Sequence, residues 1–174
     1  MSNYKRYFSD EFHYVFITVV TYKRQNILIE NIDLLRNSFK KVKQKYDFEI
    51  YAICILENHF HCILKLKNSK NISVIIGSLK KYFSYYYNNK PAKNNLPESL
   101  KSRKEAGVWQ RRFYDHIIRS ENDLNVHTNY IHYNPYKHYG ILPKCWSFST
   151  FKKFAYNGFY ELNWCEFKND IELE

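Results

Sequence analysis

Glycine and proline are scarce in this chain, four of each among 174 residues, and long apolar runs are missing. The first scarcity excludes collagen-like and low-complexity disordered chains. The second excludes a membrane-crossing helix, because no run approaches the ~20 residues that one needs. Cysteine is also thin. Cys54, Cys62, Cys145 and Cys165 stand too far apart to form C-x-x-C, which argues against a zinc knuckle or a redox pair and predicts reduced, mostly buried thiols. The N-terminal MSNYKRYFSDEFHYVF has neither the apolar core nor the small-residue cleavage site of a secretory signal, so a cytoplasmic location is expected. Acidic residues are outnumbered, 17 against 27 lysines and arginines, for a net charge of +10.

With 45% hydrophobic and 19% aromatic residues, the chain can bury the core of one domain. The positive excess is concentrated: between Lys65 and Arg119 there are thirteen basic residues and three acids. Aromatics interleave with them in KKYFSYYYNNK (80–90) and WQRRFYDH (109–116). Cations that replace counterions along phosphates, next to rings that stack on bases, suit a single-stranded nucleic-acid groove. A solvated lysine face has the same composition.

Periodicity orders the elements. HYVFITVVTY (13–22) reads as a strand, and Ile32, Leu35, Phe39, Val42 and Tyr46 as one stripe of a helix. FEIYAICIL (48–56) and the stretch after Asn58 form a hairpin. A second helix carries Ile72, Ile76, Leu79, Phe83 and Tyr86, opening at Asn71 or Ser73. Residues 88–107 read as a mobile loop, 108–114 as a fourth strand, and Ser120 with Asp123 as the capping box of a third helix that Pro135 ends. The order β-α-β-β-α-β-α predicts an α+β fold: a ferredoxin-like, RRM-like antiparallel sheet with helices on one face, followed by an extra helix and a tail from about Lys144. One sheet face is left for other use.

Two short stretches could carry chemistry. In ENHFHCILKL (57–66) His59 and His61 share a strand face with Ile63 and Lys65, so two imidazoles can converge on one divalent cation. Polar-out alternation accounts for the same pattern. In NYIHYNPYKHYG (129–140) Tyr130 and Asn134 are one helical turn apart and address one point, though a tyrosine on an amphipathic helix also serves as core.

Taken together and in order, ENHFHCILKL, WQRRFYDHIIR (109–119) and NYIHYNPYKHYG resemble the REP-associated tyrosine transposases, relatives of the single-tyrosine transposases of small insertion sequences within the His-hydrophobe-His nuclease superfamily. The similarity extends from YKRYF (4–8) through FEIYAICILENHFH (48–61) to WSFSTFKK (146–153). The resemblance implies a metal-dependent transposase and endonuclease that cleaves and rejoins single-stranded DNA beside a hairpin, such as a repetitive extragenic palindrome, through a 5′-phosphotyrosine. It implies Tyr130 as the catalytic nucleophile, with Tyr133 its nearest rival, and His59, His61 and Asn134 as ligands of Mg²⁺ or Mn²⁺. Arg111, Arg112, Arg119, Lys80, Lys81 and Trp109 are the expected DNA contacts, although a lone Trp at a strand start is more often core; Asp115 and His116 are the supporting pair, with a structural hydrogen bond from His116 to the neighbouring helix as the alternative to orienting a phosphate. Lys137 and His138 are expected at the surface, and Gly140 in the turn. One departure is Glu57 where relatives commonly carry proline, which loosens the turn without touching the ligands. Residues 1–143 correspond to the catalytic domain and 144–174 to a tail packing on or extending it. A monomer and a homodimer are both compatible, as is nucleoid association when DNA is bound. Two other readings remain: a non-catalytic single-stranded nucleic-acid-binding module on the same fold, and a metal-binding or structural protein without nucleic-acid affinity.

Overall fold

The computed structural model describes residues 12–165; YKRYF at 4–8 and the last part of the tail lie outside them. Four strands, β1 (His13–Val20), β2 (Phe48–Ile55), β3 (His59–Leu66) and β4 (Tyr114–Ile117), form one sheet in the order β2-β3-β1-β4, with every neighbouring pair antiparallel. This is the ferredoxin-like order. It arises because each helical crossover returns its strand parallel to the one it left, with room for another strand between.

Helices α1 (Ile32–Lys43) and α2 (Ile72–Tyr86) supply those crossovers and lie on one face. There Leu35, Phe39, Ile76, Leu79 and Phe83 pack with the strand residues Val15, Ile17, Val19, Phe60, Cys62 and Leu64. Asn71 stands at the start of α2, as expected, although its side chain makes no capping bond.

The second face is not left open. Helix α4 (Glu121–Tyr139) lies across it, and Leu124 and Ile131 pack with Tyr14, Phe16, Ala52, Cys54 and Ile63. Those strand residues are apolar, so this face also needs cover; burying it outweighs leaving it as a free platform.

Three further boundaries differ from expectation. Residues 88–107 contain a short helix, α3 (Glu98–Lys101), because Leu96 and Leu100 are buried four residues apart inside an otherwise polar run. The fourth strand begins at Tyr114, not 108. Trp109 instead makes an isolated bridge to Thr21, its side chain in the core, before the exposed Arg111 and Arg112 break the ladder. Helix α4 continues one turn beyond Pro135. The proline forfeits the bond to Ile131, but Ile131, Asn134 and Pro135 are all buried, and that packing carries the helix on to Gly140. Gly140 caps it in the left-handed conformation at φ 65, its N–H donating to Tyr136 O at 2.9 Å. At the other end Asp123 N donates to Ser120 Oγ at 3.0 Å, the expected cap.

After α4 the chain runs along the free edge of β2. Ile55 N donates to Phe148 O and Thr150 N to Ile53 O, both at 2.9 Å, and Trp146 Nε1 donates to Ile55 O at 2.9 Å. The edge is thereby paired before helix α5 (Phe151–Tyr156) begins.

His132, fully buried on α4, ties this segment down through Thr150 Oγ1 at 2.9 Å and the Tyr160 hydroxyl at 3.2 Å. Burial holds its pKa down from 6.5 to about 3. Between those values the unfolded chain binds more protons than the folded one, so stability falls as pH drops below about 6.5, by up to about 1.4 kcal/mol per pH unit. The buried His59 and His61 act in the same direction. His132→Gln is expected to shrink the slope of unfolding free energy against pH in that window, as measured by urea titration.

Candidate active site

The covered sheet face creates a closed polar corner. His59 and His61 sit on it opposite Val20 and Thr18 of β1, with Cys54 of β2 across from His61. Both imidazoles are nearly inaccessible, 6% and 4% exposed, and their ring centroids are 5.0 Å apart. The His59 Nδ1–H donates to Asn58 Oδ1 at 2.7 Å, an oxygen that can only accept, so its Nε2 carries the lone pair. His61 Nδ1 is 2.7 Å from Thr18 Oγ1, and donating there leaves Nε2 in the same state. Burial first, then the charges of His138 and Arg24, lower the pKa of His59 to about 4; burial first, then the charges of His59, His138 and Lys137, lower that of His61 to about 3, a shift that the Asn134 side chain opposes. Both rings are therefore neutral at physiological pH.

Asn134 comes to the same corner from α4. Its Nδ2 donates to Tyr130 O at 2.6 Å, which fixes the amide and leaves Oδ1 free of that bond. Among the described residues, His61 Nε2 and Asn134 Oδ1 are buried atoms without a hydrogen-bond partner. Leaving such groups unpaired costs about 1–3 kcal/mol each. Two imidazole nitrogens and an amide oxygen are donor types that suit a divalent cation, with positions to spare for a ligand.

Tyr130 stands beside this donor set. Its ring lies 5.1 Å from that of His61 at 78°, and 6.0 Å from Phe16. Tyr133 points elsewhere: its ring packs 5.6 Å from Tyr136 and 6.4 Å from Trp164. Lys137 and His138, expected as plain surface residues, are exposed but border the site, with Lys137 Nζ 5.2 Å over the Tyr130 ring and the His138 ring 5.2 Å from His59.

The supporting pair is split. His116 shares the site's face through its register with Phe16, and its Nε2 lies 2.9 Å from Asp123 Oδ2. Asp115 pairs with Ile17 and therefore turns to the opposite face, because adjacent strand residues alternate. The expected DNA contacts form a separate group. Lys80, Lys81, Trp109 and Arg111 line a basic cavity of about 980 Å³ with Lys90, Lys101 and Lys104, and none of His59, His61, Tyr130 or Asn134 takes part in it. Lys80 Nζ is held by the Gln110 and Arg111 carbonyls at 2.9 and 3.3 Å. Trp109 takes the core place usual for a lone Trp at a strand start, which corrects its expectation as a DNA contact: only 7% exposed, its ring packs 5.0 Å from Phe83 and 6.3 Å from Phe60. Arg112 and Arg119 are exposed.

Thr18 and Asn58, which orient the two histidines, were not foreseeable from spacing. Thr18 could be found only from the β1–β3 register, whereas Asn58 had the signal of adjacency to His59.

A family model described as "Transposase IS200 like" matches residues 8–134. A protein of Haemophilus influenzae named as a REP-associated tyrosine transposase is 35% identical over 166 residues, which cover 94% of this chain and 93% of that one. This chain belongs to the REP-associated tyrosine transposases, within the IS200-like family. An Escherichia coli K12 REP-associated tyrosine transposase is 31% identical over 94% of this chain and 91% of its own. The solved structure of a REP-associated tyrosine transposase bound to a REP hairpin superimposes with a TM-score of 0.74 at 30% identity, covering 99% of this chain and 96% of that one. This transposase is accordingly a DNA-processing enzyme with the family's α+β fold. Among its described residues no helix is long and apolar enough to cross a membrane.

Proposed function

We propose that this transposase cleaves and rejoins single-stranded DNA beside a hairpin through a covalent 5′-phosphotyrosine on Tyr130, with Mg²⁺ or Mn²⁺ held by His59, His61 and Asn134. The observation that carries the reading is the pairing of two orphaned buried acceptors, His61 Nε2 and Asn134 Oδ1, with a tyrosine ring 5.1 Å from His61. A relative's structure bound to a REP hairpin supports the same class of DNA as substrate.

Held by His59, His61 and Asn134, a divalent cation would supply charge neutralisation at the scissile phosphate. The protein supplies the rest. Tyr130 gives up its phenolic proton and its oxygen attacks the phosphorus in line; the bond to the 3′-oxygen breaks, and that oxygen takes a proton to leave as a 3′-hydroxyl. Rejoining runs the same exchange backwards from a 3′-hydroxyl of another end. Lys137, with its cation over the Tyr130 ring, and Phe16, edge-on to it, hold the phenol in one orientation. The basic cavity and the exposed Arg111, Arg112, Lys81 and Arg119 would bind phosphates, in a manner that weakens with salt.

Tyr130 lies beside its own chain's His61, which favours cleavage within one chain, so a monomer is competent and a homodimer is not required. Residues 1–143 act as the catalytic unit, supported by the segment from Trp146 to Thr150 that pairs along β2, in the cytoplasm where DNA is at hand. The test is a denaturing gel of labelled hairpins from the gene's flanks. Cleavage with a protease-sensitive adduct is expected in Mn²⁺ and absent in EDTA. Tight binding with no cleavage in any metal would instead assign a non-catalytic recognition module.

A further inference from the structure

A second group of ligating side chains lies where β4 meets the start of α4. His116 comes from the strand, Asp123 and His127 from successive turns of the helix, and one donor atom from each falls within 4.8 Å of the others. His116 Nε2 and His127 Nδ1 both lie 2.9 Å from the same carboxylate, and His127 Nδ1 is also 2.9 Å from the Asp123 backbone oxygen. The two imidazoles are stacked nearly parallel, 4.8 Å between centroids at 14°. The nitrogens that face these acceptor-only oxygens donate their N–H to them, so a cation taken up here displaces those hydrogens and uses the same three converging atoms. The carboxylate is fixed independently, since Arg119 N donates to Asp123 Oδ2 at 2.9 Å, and Phe16 packs 4.7 Å from His127. The group is partly shielded, with side chains 33%, 21% and 22% exposed for His116, Asp123 and His127.

We propose that His116, Asp123 and His127 form a second divalent-cation site, separate from the His59–His61–Asn134 set and suited to Zn²⁺. Two imidazoles and one carboxylate make the borderline-soft donor set that this ion takes at four-coordinate sites, with the remaining position open to water. Bound there, Zn²⁺ pins a four-residue edge strand to the helix that carries Tyr130 one turn beyond His127. Its effect is positional, on the orientation of that helix against the sheet.

Zn²⁺ uptake by the full chain, followed in competition with a chromophoric chelator, tests this. With H59A/H61A removing the histidines of the proposed catalytic site, one equivalent of Zn²⁺ is expected to bind and to raise Tm. Adding H116Q/H127Q is expected to abolish both. No uptake by the folded H59A/H61A chain, or unchanged uptake after H116Q/H127Q, would overturn the site. Where a variant does not fold, imidazole ¹⁵N spectra of the unsubstituted chain decide: Zn²⁺ is expected to shift His116 Nε2 and His127 Nδ1 together, and resonances that stay in place during saturation would refute it.

Discussion

Tyr130→Phe is expected to abolish the covalent DNA adduct and reduce hairpin cleavage by at least about 10⁴-fold, while hairpin affinity stays as it was, because the substitution removes only the attacking oxygen. The ring itself should remain in place: its contacts with His61, Phe16 and Lys137 are made by the aromatic face and edge. Fold and metal affinity are therefore expected to be unaltered, which separates loss of the nucleophile from loss of the site. Tyr133→Phe serves as the control. Its ring packs with Tyr136 and Trp164, away from the histidines, so cleavage should survive. An adduct that persists in Tyr130→Phe and vanishes in Tyr133→Phe would reverse the assignment of the nucleophile.

The contrast between those two tyrosines shows where sequence stops being informative. Three residues separate them on a helix, so spacing alone places both near one face. Only the rotation of α4 against the sheet decides which meets His61, and that rotation is set by Leu124 and Ile131 packing into the sheet. By comparison, strand alternation alone put His59 and His61 on a common face, and antiparallel ordering followed from crossover lengths. Strong periodicity was legible; contacts between distant segments were not. The same limit explains Trp109 and Asp115. A basic, aromatic run says nothing about which ring turns inward, and a shift of the fourth strand's start from 108 to 114 left the facing of Asp115 to be settled by its register with Ile17. Pro135 misled for a related reason: a local rule about backbone bonds was outweighed by burial, which no local window contains.

Asn134→Leu is expected to separate the site's function from the stability of the fold. Asn134 is fully buried and its Oδ1 has no hydrogen-bond partner among the described residues, so in the absence of cation it costs folding free energy, about 1–3 kcal/mol. Leucine has a similar volume and no polar atom to strand. The lost Nδ2 bond to Tyr130 O is offset, because that carbonyl lies one helical turn back and is the natural partner of the residue-134 N–H. In EDTA the variant should therefore unfold at the same Tm as the parent or above it. With Mn²⁺ the parent should gain stability as the folded state binds the ion, whereas the variant should gain far less. Cleavage should fall on the order of 10³-fold, the several kcal/mol that a lost metal contribution represents. Thr18→Val, which removes the partner of His61 Nδ1 but no ligand, should act more mildly, weakening Mn²⁺ binding by roughly 10–100-fold. A leucine variant that is less stable than the parent in EDTA yet still stabilised by Mn²⁺ would mean that Asn134 is held for packing of α4 and that the cation, if bound, rests on the histidines alone.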